Sequence, residues 1–451
     1  MEEILDKPGG IAMREKTKKD RVDQAVRGQA RVAREVSRAV HASAERPFQE
    51  FESSKRMGDY LGSNGFEVEF PFKNIPTAFR ASWGSGKPAI GMLGEYDALP
   101  NCGSEEGTWG HGCGHNLLGV APAVGAVAAK EILESNGSKG RIVYYGCPAE
   151  ETLAGKVYMA RDGAFRDLDV CLAWHPGSNG VSKYGGSSLD SVVFEFFGRT
   201  AHGASAHNGR SALDAVMLTD IAANYLREHV PENVRIHSVI RDGGDAPNVV
   251  PAFAKIWYFV RGKDRKQVDE VRDRLSACAR GAAEATDTQI KYSRITAVYP
   301  RLVNDEMCEV VKKNLHLFGG ARPSLSDKKR VQAIGYKGEF NTRISEREGQ
   351  QGRGSSDEDN VSWLAPLGKF GLACYTNQTP GHHRDLAAQA VMPFAERAML
   401  QAAKIFAGSA IDLILDPNRV KKVRAEFRKR TRGFTYDPLI PKRQRVPVDP
   451  P

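Results

Sequence analysis

Two rhythms of apolar and polar positions divide the chain. Short apolar runs bounded by glycine, at Pro88–Leu93, Arg141–Gly146 and Asp169–Trp174, alternate with helical stretches and predict buried strands in an α/β layer structure. Ahead of them, Val22, Ala25, Val32, Val36 and Val40 recur near helical spacing among charges, predicting a helix over 14–45 that Arg46-Pro47 breaks. A second helix is expected from around Glu50 to Asn64. From about Leu189 to Val298 the order becomes strand (Ser191–Gly198), helix (Ser211–Glu228), strand (Val234–Ile240), strand (Val249–Arg261), helix (Asp264–Ala285) and strand (Gln289–Thr296). That β-α-β-β-α-β order is the signature of a ferredoxin-like sandwich. The expected fold is therefore α/β: a central mixed sheet flanked by helices, formed by residues 1–188 and 299–451, with an inserted lid over 189–298. Within the lid, Leu213, Val216, Met217 and Ile221 read as a stripe of core residues on the first helix. The stretch Gln350–Arg353 reads as a flexible loop.

Composition narrows the functional classes. A chain of 451 residues is too long for one hydrophobic core, and no apolar run approaches the roughly 20 residues of a membrane-spanning helix. The segment Met1 to Lys19 alternates acids and bases and lacks the apolar stretch of a secretory signal. Seven cysteines stand singly, without the paired spacing of a disulfide framework, so a cytoplasmic location is expected, where any special cysteine is catalytic or metal-bound. The net charge of +9 comes almost wholly from Arg419 to Pro451, where eleven Lys/Arg face Glu426, Asp437 and Asp449. This tail is expected to be a solvated segment packed on the surface, not a reader of nucleic acid.

Four short segments carry candidate chemistry. The loop Gly110-His111-Gly112-Cys113-Gly114-His115-Asn116 places three metal-ligand types within five positions, with glycines that let the backbone fold around an ion; the same composition also suits a plain turn. Cys147-Pro148-Ala149-Glu150-Glu151 ends a strand-like run with adjacent carboxylates, which repel each other unless a cation or proton compensates or the turn is exposed. One carboxylate of such a pair can bind metal while the other moves a proton. Another apolar run stops at His175-Pro176, and Gly381-His382-His383 lies in a turn near the carboxyl end. Each histidine alone suits a hydrogen-bonded turn, but four such segments at strand ends can converge on one sheet edge, where open α/β sheets place active sites.

These motifs, together with Gly94-Glu95-Tyr96-Asp97-Ala98-Leu99-Pro100 and Ala173–Pro176, resemble the aminoacylase/glutamate-carboxypeptidase family of dinuclear metallohydrolases, and within it the amidohydrolase branch with a bridging cysteine. The resemblance runs from about Ser43 to Gln389. It implies two divalent ions, Mn or Zn, with Cys113 bridging and His115, Glu151, His175 and His382 as further ligands. It implies Glu150 as general base toward a water between the ions, and Asp97 as the carboxylate that orients a ligand imidazole. Many relatives carry His-x-Asp where this chain has Glu95-Tyr96-Asp97, a loss that His115 makes good in this branch. Thr200-Ala201-His202 resembles the lid histidine that reaches the partner subunit's site to stabilise the oxyanion, which implies a homodimer through the lid. Asn248 and Arg261 match positions that grip a substrate carboxylate, and Ser355, in Gly354-Ser355-Ser356-Asp357, belongs to a loop lining the cleft. Two departures leave alternatives open: His207 follows His202, and His383 follows His382.

The implied activity is hydrolysis of an N-acyl or N-aroyl amino acid of the aminobenzoyl-glutamate type. The alternative within the same chemistry is removal of an amino group from an aromatic substrate such as a substituted anthranilate, releasing ammonia. A non-catalytic scaffold is the rival from another class; an intact Glu150 and an unbroken ligand set oppose it.

Overall fold

The computed structural model describes residues 13–348, 352 and 354–447. Its larger sheet is built from β1 (Glu67–Glu69), β2 (Phe79–Ser85), β3 (Ala89–Glu95), β4 (Gly140–Cys147), β5 (Val170–Pro176), β6 (Gly180–Lys183), β11 (Ser345–Glu348) and β12 (Leu367–Leu372). These eight strands lie in the order β1-β2-β4-β3-β5-β12-β6-β11. The four central strands β4, β3, β5 and β12 run parallel, while β2 joins β4 antiparallel and β6 joins β12 antiparallel. Every residue of β3 is buried, as a strand covered on both faces requires, so its sequence reads as a continuous apolar run.

Helices Glu15–Ser43, His115–Ser135 and Pro393–Leu415 cover one face of this sheet and share one core with it. The last two have the length and apolar character of membrane spans, contrary to the expectation that no run approaches that length. Yet 89% and 78% of their apolar windows are buried inside the fold, so the protein itself covers them. They pack closely because a Cβ on Gly125 would stand 2.5 Å from Cβ of Phe406. At the other end of the first helix, a Cβ on Gly119 would lie 2.6 Å from the Glu95 carbonyl oxygen, so this glycine lets the helix sit directly against the end of β3.

The second sheet is antiparallel and comprises β7 (Ser188–Phe197), β8 (Arg235–Asp242), β9 (Phe253–Gly262) and β10 (Gln289–Val298), in the order β10-β7-β9-β8. Helices Ala212–Glu228 and Arg265–Ala285 pack on it with their own core around Val216, Leu226, Val260 and Leu275. Ser211 and Asp264 cap these helices by accepting bonds from the amides of Asp214 and Gln267.

Three expectations need correction. Of the stripe on helix Ala212–Glu228, only Val216 is fully buried; Met217 and Ile221 are each 48% exposed, with Leu218 and Tyr225 exposed beside them. The carboxyl-terminal region is not a simple solvated tail. Residues Pro417–Arg430 form a helix that buries Val420 and Val423, and Ile440 enters the core between β4, β5 and the lid. Beyond it, Arg294 and Arg161 donate to the carbonyls of Leu439 and Gln444, at 2.9 and 2.6 Å, fastening the tail to the lid and to the main domain. Of the loop expected at Gln350–Arg353, only Gly352 belongs to the described residues.

Candidate metal centre

Four parallel strands end on one edge of the large sheet, and each delivers chemistry there. Strand β3 ends at Glu95, two residues before Asp97; β4 leads into Glu150 and Glu151; β5 carries His175; β12 leads into the turn with His382. Cys113 and His115 arrive from the loop that opens helix His115–Ser135. The turns are tight: Gly114 has φ +77°, and the non-glycine residues Ala149 and His382 sit at +59° and +54°, a conformation that costs roughly 1 kcal/mol or more and is typical of functional turns. The amide of His382 donates to the Gly112 carbonyl at 3.0 Å, docking the carboxyl-terminal turn on the cysteine loop.

The side chains converge. Ligand atoms of Cys113, His115 and His175 lie within 4.8 Å of one another, as do those of Cys113, Glu151 and His382, and those of Glu95, His115 and Glu150. Nδ1 of His115 donates to Asp97 Oδ1 at 2.8 Å, and the other Asp97 oxygen accepts from the Glu151 amide at 3.0 Å. That leaves Nε2 of His115 as a lone pair, 3.5 Å from Glu151 Oε1 and 3.5 Å from Glu95 Oε2. His175 is arranged alike: Nδ1 donates to the Pro176 carbonyl at 2.7 Å, and Nε2 points at Cys113 Sγ, 3.3 Å away. Nε2 of His382 stands 3.3 Å from Glu151 Oε2.

Lone pairs facing lone pairs in a buried pocket are held together only by protons or by cations. His115 Nε2 and Glu151 Oε1 are both buried without a hydrogen-bond partner, so thiol, imidazole and carboxylate donors fit divalent ions placed between them. Without ions, protons take that place. Burial together with Glu150 and Asp97 pushes Glu151 up to about 8, against the pull of His115. Burial lowers the pKa of His115, but Glu151 and Asp97 more than reverse this and lift it well above the ordinary imidazole value. Burial raises the Cys113 thiol and lowers His175 to about 4, the latter helped by Lys369 and His115.

A cleft of about 710 Å³ opens over the centre, lined by Cys113, Glu150, Glu151, His175 and His382 on the metal side and by Arg261 and Ser355 opposite. The Ser355 hydroxyl is buried without a partner. Burial lowers the pKa of the Arg261 guanidinium, while nearby Glu150 raises it. His202 and Asn248 are not among the lining residues. They stand together elsewhere on the lid: His202 pairs with Val249 in an isolated bridge, and Gly203 donates to the Asn248 carbonyl at 2.7 Å. His207 is exposed in the same turn, and His383 caps helix Arg384–Gln389 by accepting from the Asp385 amide.

Sequence reasoning missed a buried ion network behind the site. Nζ of Lys156 lies 2.5 Å from Glu95 Oε1 and 2.6 Å from Asp357 Oδ1, and none of the lysine is exposed. A second network joins Arg301 to Glu358 at 2.8 Å and Asp359 at 2.7 Å, with Lys369 also on Glu358. A lone lysine or arginine in the sequence gives no signal for either; only the fold brings the partners together.

The chain belongs to the aminoacylase/glutamate-carboxypeptidase family of dinuclear metallopeptidases and is an amide-bond hydrolase. It is 32% identical to a p-aminobenzoyl-glutamate hydrolase chain of Escherichia coli K12, across 93% of this chain and 97% of that one. It is 28% identical to the Xaa-Arg dipeptidase of Mus musculus, across 87% and 88% of the two chains. Residues 184–287 match the family of peptidase dimerisation domains. In fold it is similar to an aminobenzoyl-glutamate utilization protein from Klebsiella pneumoniae, with TM-score 0.62, 16% identity and 86% and 98% of the chains covered. A dinuclear metal-binding peptidase of the M20 family from Bacillus subtilis gives 0.54, 17%, 88% and 99%.

Proposed function

We propose that the enzyme hydrolyses the amide bond of an N-acyl or N-aroyl amino acid of the aminobenzoyl-glutamate type, with two divalent ions, Mn or Zn. The observation that carries this is the set of buried acceptors of His115, Glu151, Cys113 and His175 facing one another beside a free carboxylate, Glu150, with Arg261 across the cleft. Cys113, His115, Glu151, His175 and His382 would hold the ions. When bound, the ions make water nucleophilic near neutral pH and polarise the scissile carbonyl. Glu150 takes the proton of the attacking water and returns it to the leaving nitrogen. Asp97 fixes which His115 nitrogen faces the centre.

Arg261 pairs with the carboxylate of the leaving amino acid, a contact suited to a guanidinium, and Ser355 supplies a hydroxyl on the same wall. His202 and Asn248 would complete the site of the partner subunit in a homodimer built through the lid, with His202 stabilising the oxyanion. The open edge of β8 and the exposed Met217, Ile221 and Tyr225 support that pairing, since a bare strand edge beside an apolar helix face favours burial against a second copy. We place the enzyme in the cytoplasm, where unpaired cysteines such as Cys113 stay reduced.

The test is a panel of N-aroyl amino acids and substituted anilines assayed with Mn²⁺- or Zn²⁺-loaded protein. Release of a free amino acid supports the reading; release of ammonia from the anilines, with no amide cleavage, overturns it in favour of ring deamination.

A further inference from the structure

Lys156 is a single buried cation touching two parts of the site that are far apart in sequence. Its ammonium bonds Glu95, at the end of β3, at 2.5 Å and Asp357, at the foot of the cleft loop 354–357, at 2.6 Å. Its backbone amide donates to the second Asp357 oxygen at 2.8 Å, so both oxygens of Asp357 are taken by one residue. Glu95 is held by one oxygen only, and the other stands 3.5 Å from the unpartnered Nε2 of His115. The position of Lys156 is fixed from below: helix Gly155–Arg161 starts on a glycine whose Cβ would fall 1.9 Å from the Pro148 carbonyl oxygen, in the turn that presents Glu150 and Glu151.

We propose that Lys156 is a positioning residue that couples the metal centre to the substrate-facing loop. Its charge keeps Glu95 as a carboxylate turned toward His115, so that Glu95 stabilises cations in the cluster. Its paired bonds to Asp357 hold the loop carrying Ser355 in register with the cleft. Replacing the lysine by an apolar side chain would leave two buried carboxylates without their common partner, and both halves would shift together. The inference rests on the proposed metallohydrolase reading and adds residues that the ligand set leaves out.

The experiment compares Lys156→Met, Glu95→Gln and Asp357→Asn, each read by Mn²⁺ affinity in competition with a chelator, by hydrogen exchange of segment 354–361, and by KM and kcat for p-aminobenzoyl-glutamate at saturating Mn²⁺. Glu95→Gln is expected to weaken Mn²⁺ binding roughly 10-fold or more while exchange of the loop stays as in the wild type. Asp357→Asn should leave Mn²⁺ affinity within two-fold, speed exchange in the loop and raise KM more than it lowers kcat. Lys156→Met should show both effects. If Lys156→Met does not fold, the two isosteric variants carry the test by their separation. Wild-type Mn²⁺ affinity in Glu95→Gln, or wild-type exchange in Asp357→Asn, overturns the proposal, as does a Lys156→Met protein that loses thermal stability alone. A wild-type protein that takes up no Mn²⁺ overturns the metallohydrolase reading itself and this inference with it; a metal-binding wild type with insensitive variants overturns only the role of Lys156.

Discussion

Asp97 Oδ1 accepts from His115 Nδ1 at 2.8 Å, and that contact decides which imidazole nitrogen looks into the cluster. The same carboxylate holds the Glu151 amide, so one side chain orients two of the proposed ligands. Replacing Asp97 by asparagine removes the charge and lets the ring adopt the other tautomer. Metal affinity should fall by about 10–100-fold, the usual range for a carboxylate behind a ligand histidine. Chelator competition with Mn²⁺ measures this, and an unchanged affinity would strip Asp97 of the role.

Glu150 lines the cleft between the cluster and Arg261. As the group that carries the proton from water to the leaving nitrogen, it can be lost without loss of metal. Glu150→Ala should bind Mn²⁺ as the wild type does and turn over about 100-fold or more slowly. Undiminished kcat in the metal-loaded variant would refute the assignment.

The elements and the main site motifs were legible because each is local. Continuous apolar runs gave β3, β4 and β5, and chemistry-bearing residues sat just where those runs stop. Spacing alone could not tell a core stripe from an interface stripe, since Met217 and Ile221 follow the same helical period as buried Val216. Nor could it show Lys156, whose partners lie 61 and 201 residues away and meet it only in the folded chain. The carboxyl-terminal charge masked a helix there, because its lysines and arginines ring a narrow apolar side made of Val420 and Val423.

Metal uptake should depend on pH through Glu151. In the metal-free protein burial lifts this carboxyl to about 8, so near neutrality it carries a proton that an ion must displace. The sign follows: below about 8 the proton competes, and apparent Mn²⁺ affinity should rise with pH and level off above that value. Titration with Mn²⁺ in weak buffer at pH 7 should release protons, detected with an indicator dye, and Glu151→Gln should release fewer. Affinity that is flat from pH 6 to 8 would contradict this ordering of charge.

His202 and Asn248 stand on the lid but outside the cleft of their own chain, while Met217, Ile221 and Tyr225 leave an apolar face open on the same domain. Both facts fit one arrangement, in which the lid of each subunit completes the other's site. Ile221→Glu should place a charge in that face and shift the protein from dimer to monomer in light scattering, with activity falling alongside. A stricter check uses two inactive proteins. In a hybrid of Glu150→Ala and His202→Ala subunits, exchange across the interface gives one site with both residues intact, whereas a histidine acting within its own subunit gives none. Co-refolding the two variants should therefore restore turnover that neither shows alone, and failure of the hybrid to work would confine His202 to its own chain.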